Sequence, residues 1–311
     1  MAIKLRSLLL AFTLGVLAGL SHAETLVVMV SSESGTAYTT AIDVLTQALE
    51  AGGTPRDAIA HWSVAEWRDK RHLAMPRIYV ALGTQAAAAL AESQTGAPVL
   101  AALLPRLSFE RILRQNGRKA SKQLSAIFLD QPLSRQVALI RAALPQAKRV
   151  GVLWGPESKA KGPLLRSLAE INGLQLVEAE FKPETGGFPD LRPVLATSDV
   201  FLAMADPQVF NSGTIQNLLL ATFRAKLPMV AFSPAYVRAG AWLSLHVMPE
   251  QVGLQIAPWV HEVLQGRSLP DQPLESNDFE VSVNEHVGRS LNLKADTAGL
   301  RLQLRRLEQL P

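Results

Sequence analysis

Apolar residues along this chain fall into short unbroken runs, separated by polar loops and longer amphipathic stretches. The run Thr25 to Val30 has almost no polar alternation. It is followed by Ser31-Ser32-Glu33-Ser34-Gly35-Thr36 and then by an amphipathic stretch from Ala37 to Ala51. This order predicts strand, loop, helix. The same order returns at Ile78 to Leu82, Gly83-Thr84-Gln85 and an alanine-rich helix reaching Glu92, with Pro98 to Leu103 as the next strand. Unbroken apolar strands that alternate with helices belong to a parallel sheet covered on both faces. Between Pro105 and Lys122 the pattern gives way to a basic stretch containing Arg111, Arg114, Arg118, Lys119 and Lys122, read as a solvated helix and loop. Leu124 to Leu129 is extended, and Leu133 to Leu144 is helical up to Pro145.

A second series opens at Val150 to Trp154, continues through the loop Gly155-Pro156-Glu157-Ser158, and predicts a helix from Gly162 to Asn172 and a strand from Leu174 to Phe181. Val200 to Met204, the turn Ala205-Asp206-Pro207, a helix from Ser212 to Ala225 and a strand from Met229 to Phe232 complete it. Beyond it lie a helix from Pro249 to Gln265, a proline-rich link, a strand at Phe279 to Val283 and a last helix. That helix carries Leu300, Leu304 and Leu307 on one face, read as a core-packing stripe. Two such series in one chain predict an α/β fold of two Rossmann-like lobes, each with a parallel sheet. Ligands of open α/β sheets lie outside the carboxyl ends of the strands, so a cleft between facing lobes would be lined by the loops just named.

The first residues alter the picture. Lys4 and Arg6 precede an apolar run from Leu8 to Leu20, and Ser21-His22-Ala23 follows it. The run is shorter than the about 18 residues a spanning helix needs, so it reads as a secretory leader cleaved after Ala23. The remaining 288 residues exceed the size at which single cores commonly divide. With no cysteine there are no disulfides, thiolate metal sites or cysteine nucleophiles, and export without disulfides suits a bacterial periplasm. The formal charge of +4 falls to +2 when Lys4 and Arg6 leave with the leader, and aromatic residues make up only 6%. Nucleic-acid binding, which needs clustered bases with stacking platforms, is therefore not expected.

Candidate chemistry concentrates in loops that precede helices. Free N–H groups at a helix start favour carboxylates and other anions. Ser32, Ser34, Thr36, Gly83, Thr84 and Gln85 are accordingly candidates for an acidic end of a ligand, and Asp206 for a donor or ammonium group. The alternative role for these hydroxyls is to cap their own helices. Ser233 and Tyr236 could supply a hydroxyl and a stacking face, and Glu157 and Ser158 are further candidates on the loop that opens the second series. Gly-x-Ser-x-Gly, Gly-x-Gly-x-x-Gly and His-Glu-x-x-His patterns are absent. The histidines are scattered without metal-ligand spacing, so catalytic residues, cofactors and metals are not expected.

Several segments together resemble a known family, the ABC transporter substrate-binding proteins of the type I periplasmic fold related to tryptophan and tyrosine uptake receptors. Ala81-Leu82-Gly83-Thr84-Gln85-Ala86-Ala87 is similar to that family's glycine-threonine turn, and Lys148-Arg149-Val150-Gly151-Val152-Leu153 to the strand opening its second lobe. The second half carries Ala225-Lys226-Leu227-Pro228-Met229-Val230, Tyr236-Val237-Arg238-Ala239-Gly240-Ala241, Gly253, Val263-Leu264-Gln265-Gly266 with Pro270, and Asn284 at the start of the last helix. The resemblance implies three hinge crossings, near Leu124 to Asp130, Leu243 to His246 and Asp278 to Val283. It thus implies a leader over 1–23, a first lobe of 24–125 plus 245–277 and a second lobe of 126–244 plus 278–311. Asp206-Pro207 stands where relatives carry Asp-Asn, and Leu103-Leu104-Pro105-Arg106 replaces an Asp-Pro turn, so ligand identity does not carry over.

The expected function is that of a non-catalytic, monomeric periplasmic receptor that closes on a small, amino-acid-like or carboxylate solute. Its expected partner is the membrane permease of an ABC transporter. The alternative partner is a sensor kinase, which would make the same fold a sensing module.

Overall fold

A computed structural model describes residues 25–73, 75–182 and 191–308; the expected leader at 1–23 lies outside them. The first sheet is built from β1 (Val27–Ser31), β2 (Ile59–Ser63), β3 (Ile78–Leu82), β4 (Val99–Leu104) and β5 (Leu124–Phe128). It is parallel throughout and ordered β2-β1-β3-β4-β5. Between its strands run α1 (Thr36–Ala51), α2 (Val64–Lys70), α3 (Thr84–Ser93) and α4 (Arg106–Gln115). Alternation decides which face each side chain covers. Val27, Met29, Ile78, Val80 and Leu82 join one core layer, while Val28, Val30, Tyr79 and Ala81 join the other.

The second sheet takes β6 (Arg149–Trp154), β7 (Gln175–Glu180), β8 (Val200–Leu202), β9 (Met229–Ala231), β10 (Leu243–His246) and β11 (Glu280–Val283). Its order is β11-β10-β9-β8-β6-β7, parallel except for β11, which pairs antiparallel with β10. The helices α5 (Leu133–Ala143), α6 (Gly162–Ile171), α7 (Arg192–Thr197), α8 (Ile215–Arg224), α9 (Pro234–Ala239), α11 (Glu285–Ser290) and α12 (Thr297–Glu308) belong with this sheet. The remaining helix, α10 (Pro249–Leu264), returns to the first lobe and packs along α1. The chain thus passes between sheets three times, at residues 129–132, 247–248 and 275–279. The first and third connections are tied together. Gln131 donates to the carbonyl of Asp278, Arg135 donates to that of Ser276, and the Arg135 guanidinium lies 4.6 Å from the Phe279 ring centre.

The structure corrects several expectations. β2 and α2 fall in a stretch whose sequence shows no unbroken apolar run, because β2 is an edge strand in which only Ile59 is buried. The basic stretch after Pro105 is no mere solvated helix: α4 buries Leu107, Phe109 and Ile112. The C-terminal region has two helices where one was expected. Asn284 opens the shorter, accepting from the Val287 N–H and donating to the Val237 carbonyl. On α12, Leu300 and Leu304 are buried but Leu307 is 47% exposed, so the expected stripe is one residue shorter.

Gly253 is where α10 approaches α1 most closely: a Cβ there would sit 2.8 Å from the Ala41 carbonyl oxygen and 3.2 Å from the Leu45 nitrogen. Gly253→Val should therefore push the two helices apart and lower stability by about 1–3 kcal/mol. Denaturant unfolding of the purified protein checks this, and an unchanged midpoint would refute the close contact.

Candidate functional site

Parallel pairing sends the parallel strands of a lobe out at the same edge, and the segments after β4 and β5 meet those after β6, β8 and β9. Two ion pairs cross or flank this seam. Arg111 on α4 reaches Glu157 on the loop after β6 at 3.0 Å, and Lys161 reaches Asp130, on the first connection, also at 3.0 Å. The other oxygen of Asp130 accepts the Arg106 N–H, placing a negative charge at the start of α4 where the helix dipole favours it. Between the lobes lies a cavity of about 240 Å³. Pro105, Leu129 and Asp130 wall it on one side and Ala205, Phe232, Ser233 and Pro234 on the other, with His246 and Val247 at the second connection.

Local backbone geometry shapes this wall. Leu103 has φ 55°, and the pairing of β4 with β5 shifts register between Ala101 and Leu104. A branched-chain residue in the left-handed region is uncommon. Here the kink turns the chain into Pro105 and α4, and Leu103 lies in the segment where the sequence departs from the resembled family. Phe232 is held edge-on by Tyr236, 5.1 Å away, and by Phe210, 5.6 Å away.

His246 is buried, and its Nδ1 lies 3.1 Å from the Ser244 hydroxyl. Burial pulls its pKa down to about 4; a hydrogen bond with the Ser244 backbone opposes this and the charge of Arg238 adds to it. Near neutral pH the cavity therefore presents a neutral imidazole. Asp130 is neutralised by Lys161, which leaves a largely apolar space with a few fixed polar groups, the composition of a small-molecule site.

The residues singled out from sequence fall into separate groups. Ser233 lines the cavity, and its hydroxyl also caps α9 by accepting the Ala235 N–H. Tyr236 stands behind Phe232, donating to the Phe210 carbonyl at 3.4 Å. Asp206 is 1% exposed. Its carboxylate accepts the N–H groups of Glu157, Ser158 and Gln208 at 2.8–3.0 Å, so it holds the loop after β6 onto the loop after β8. Ser158 is buried and its hydroxyl accepts the Gly155 N–H. In the first lobe Ser32 Oγ accepts the Ala86 N–H, a cap for α3 supplied from another loop. Gly83, at φ 89°, lets the Ser32 and Tyr38 hydroxyls approach within 2.6 Å of where a Cβ would stand. Thr84 is half-buried, while Ser34, Thr36 and Gln85 are exposed, and none of the four lines the cavity. Arg111, Lys161, Asp130, Phe232 and His246 were not selected from sequence. The signal available was position: Phe232 ends a predicted strand, and Asp130 and His246 end two expected crossings.

Among the described residues no cluster of three acidic or histidine side chains could hold a metal, and no helix is long and apolar enough to cross a membrane. The model of the ABC transporter substrate-binding protein family matches residues 65–298. The chain belongs to that family. Its fold is the two-lobed type I periplasmic one, as expected from the sequence. A tyrosine-binding protein of Clostridioides difficile is 23% identical over 166 residues, a match covering 52% of this chain and 48% of that relative. Among solved structures, a ligand-free, open substrate-binding protein with adhesive properties from Clostridium difficile superposes with TM-score 0.69 at 18% identity, over 88% of this chain and 96% of that one. A Streptococcus pneumonia ABC domain in complex with L-Trp gives 0.62 at 17% identity, over 89% and 98%. A conserved domain protein from Vibrio cholerae gives 0.61 at 22%, likewise over 89% and 98%. The family's description is that of substrate-binding proteins.

Two measurements probe these assignments. Asp206→Ala leaves three N–H donors, that of buried Ser158 among them, without their acceptor and should cost about 1–3 kcal/mol of stability; a wild-type melting temperature would show that the loops do not depend on it. For His246, the folded pKa lies below the usual 6.5, so the unfolded chain takes up the proton more readily. Stability is intact above about pH 6.5 and falls as pH drops toward 4, by on the order of 3 kcal/mol. Melting curves between these pH values should show the decline, and His246→Gln should flatten that part of it.

Proposed function

We propose that this chain is the periplasmic receptor of an ABC-type uptake system and closes on a small amino-acid-like or carboxylate solute. The observation that carries the reading is the cavity of about 240 Å³, whose walls come from both lobes and from the connections between them. A solute held there touches both lobes at once, so it stabilises the closed arrangement relative to the open one, and only this difference drives closure. The size admits an amino acid and falls below the about 300–1,000 Å³ of drug-sized sites.

Phe232 supplies an aromatic face, Ser233 and the neutral His246 supply polar contacts, and the Arg111–Glu157 pair stands where the lobes meet. Ser32, Ser34, Thr36, Thr84 and Gln85 lie at or just before the starts of α1 and α3, where a solute's carboxylate would find backbone donors. Glu157, Ser158 and Asp206 then serve by fixing the facing loop. The names of two relatives, one binding tyrosine and one seen with L-Trp, agree with an amino-acid-like ligand. The closed form would be recognised by a separate permease, and the 1–23 leader would deliver the chain to the periplasm as a monomer.

Isothermal titration with a panel of L-amino acids and small carboxylates tests the reading. One of them should bind at micromolar or better affinity, and Ala205→Trp, which fills the cavity, should weaken that binding by at least a hundredfold. Binding that survives Ala205→Trp unaltered would place the ligand elsewhere.

A further inference from the structure

The far pole of the first lobe, at the amino ends of its parallel strands, carries a groove of about 660 Å³. Trp67 and Tyr79 form buried parts of its lining, and Arg71, His72, Met75 and Arg77 are exposed along it. Met75 is 91% exposed and Leu73, two residues before it, is 73% exposed. Single exposed apolar residues are ordinary, but these two stand in a basic setting. Arg68, Lys70, Arg71 and Arg77 face only one acid in the same ten residues, Asp69. Lys70 is engaged by Glu66 at 3.2 Å. Among the described residues no carboxylate pairs with Arg68, Arg71 or Arg77, and Arg71 lies 5.6 Å from the Trp67 ring centre.

The chain also enters its folded body at this place. The Leu26 carbonyl accepts the N–H groups of Arg77 at 2.8 Å and Ile78 at 3.3 Å. A surface that pairs protruding apolar side chains with unpaired bases suits a layer that is anionic outside and apolar beneath. A soluble acidic chain would satisfy the arginines but would give Met75 and Leu73 nothing to enter.

We propose that this pole docks on an anionic lipid bilayer, with Leu73 and Met75 entering the headgroup layer and Arg68, Arg71 and Arg77 meeting the lipid phosphates. This goes beyond the solute-receptor reading and does not depend on it. The cleft lies at the opposite ends of the same strands, so a docked molecule keeps its solute site in water.

The test is co-sedimentation of the exported protein, purified without detergent, with vesicles of phosphatidylglycerol mixed into phosphatidylcholine and with vesicles of phosphatidylcholine alone. Binding should be at least tenfold stronger to the anionic vesicles and should weaken as salt rises. Arg71→Glu with Arg77→Glu should reduce it at least tenfold, and Leu73→Ser with Met75→Ser severalfold, while the melting temperature and the cleft's solute affinity stay at wild-type values. Equal binding to both vesicles, no binding to either, or full binding by both double variants overturns the proposal. Binding to polyglutamate as tight as to anionic vesicles, and indifferent to Leu73→Ser with Met75→Ser, also overturns it and assigns the pole to an acidic peptide.

Discussion

Parallel strand pairing buried on both faces is the constraint from which the rest of this molecule follows. A parallel pair cannot be closed by a tight hairpin, so each strand must return through a crossover that lays a helix on the sheet. Each helix needs an apolar stripe and each strand two apolar faces, which is why the strands read as unbroken hydrophobic runs. The parallel strands of a lobe then end at one edge, and the irregular, polar segments gather there. When the two sheets face each other, those loops have nowhere to lie except along a shared seam.

Along that seam, many of the polar groups that look available in one dimension are used to hold the loops. Asp206 carries a carboxylate that three backbone donors surround, and Ser32 caps a helix more than fifty residues away. Such groups are costly to leave unpaired once buried, so the fold takes their hydrogen bonds first. What remains for a solute is a mainly apolar space with a neutral histidine, one serine and an aromatic wall. The charges near it are paired, Arg111 with Glu157 and Lys161 with Asp130, which prevents an isolated charge from dominating the cavity. The same pairs link parts of the chain far apart in sequence, so movement of the lobes and rearrangement of these charges are coupled.

The first lobe therefore has two differently furnished ends. At the carboxyl ends of its strands, Ser31 and Ser32 are taken up by hydrogen bonds with His61 and the Ala86 N–H; at the amino ends, arginines and large apolar side chains remain in water. An end that faces a partner lobe and an end that faces the surroundings are under different demands. The interleaving of α10 with α1 adds that the first lobe is completed only when the chain has already built most of the second sheet, so neither lobe is a continuous piece of sequence.

The strands Val27–Ser31, Ile78–Leu82 and Arg149–Trp154, and the helices Thr36–Ala51 and Pro249–Leu264, were legible from their residues, because local periodicity reflects how many faces an element must bury. So were the absence of enzyme motifs and the places where loops follow strands. Edge strand Ile59–Ser63 and the short helices Pro234–Ala239 and Glu285–Ser290 were not, since a half-exposed or two-turn element leaves too few periodic positions to stand out. Which loop residues would face the cavity was also beyond the reach of one dimension. The pairing of Arg111 with Glu157, the committed carboxylate of Asp206 and the burial of His246 are contacts between residues distant along the chain, and no local pattern records them. By itself the sequence determined the order of elements and the two-lobed class, because those follow from which faces must leave water. Only the tertiary structure decided which polar groups were free, because hydrogen-bond partners are chosen in space.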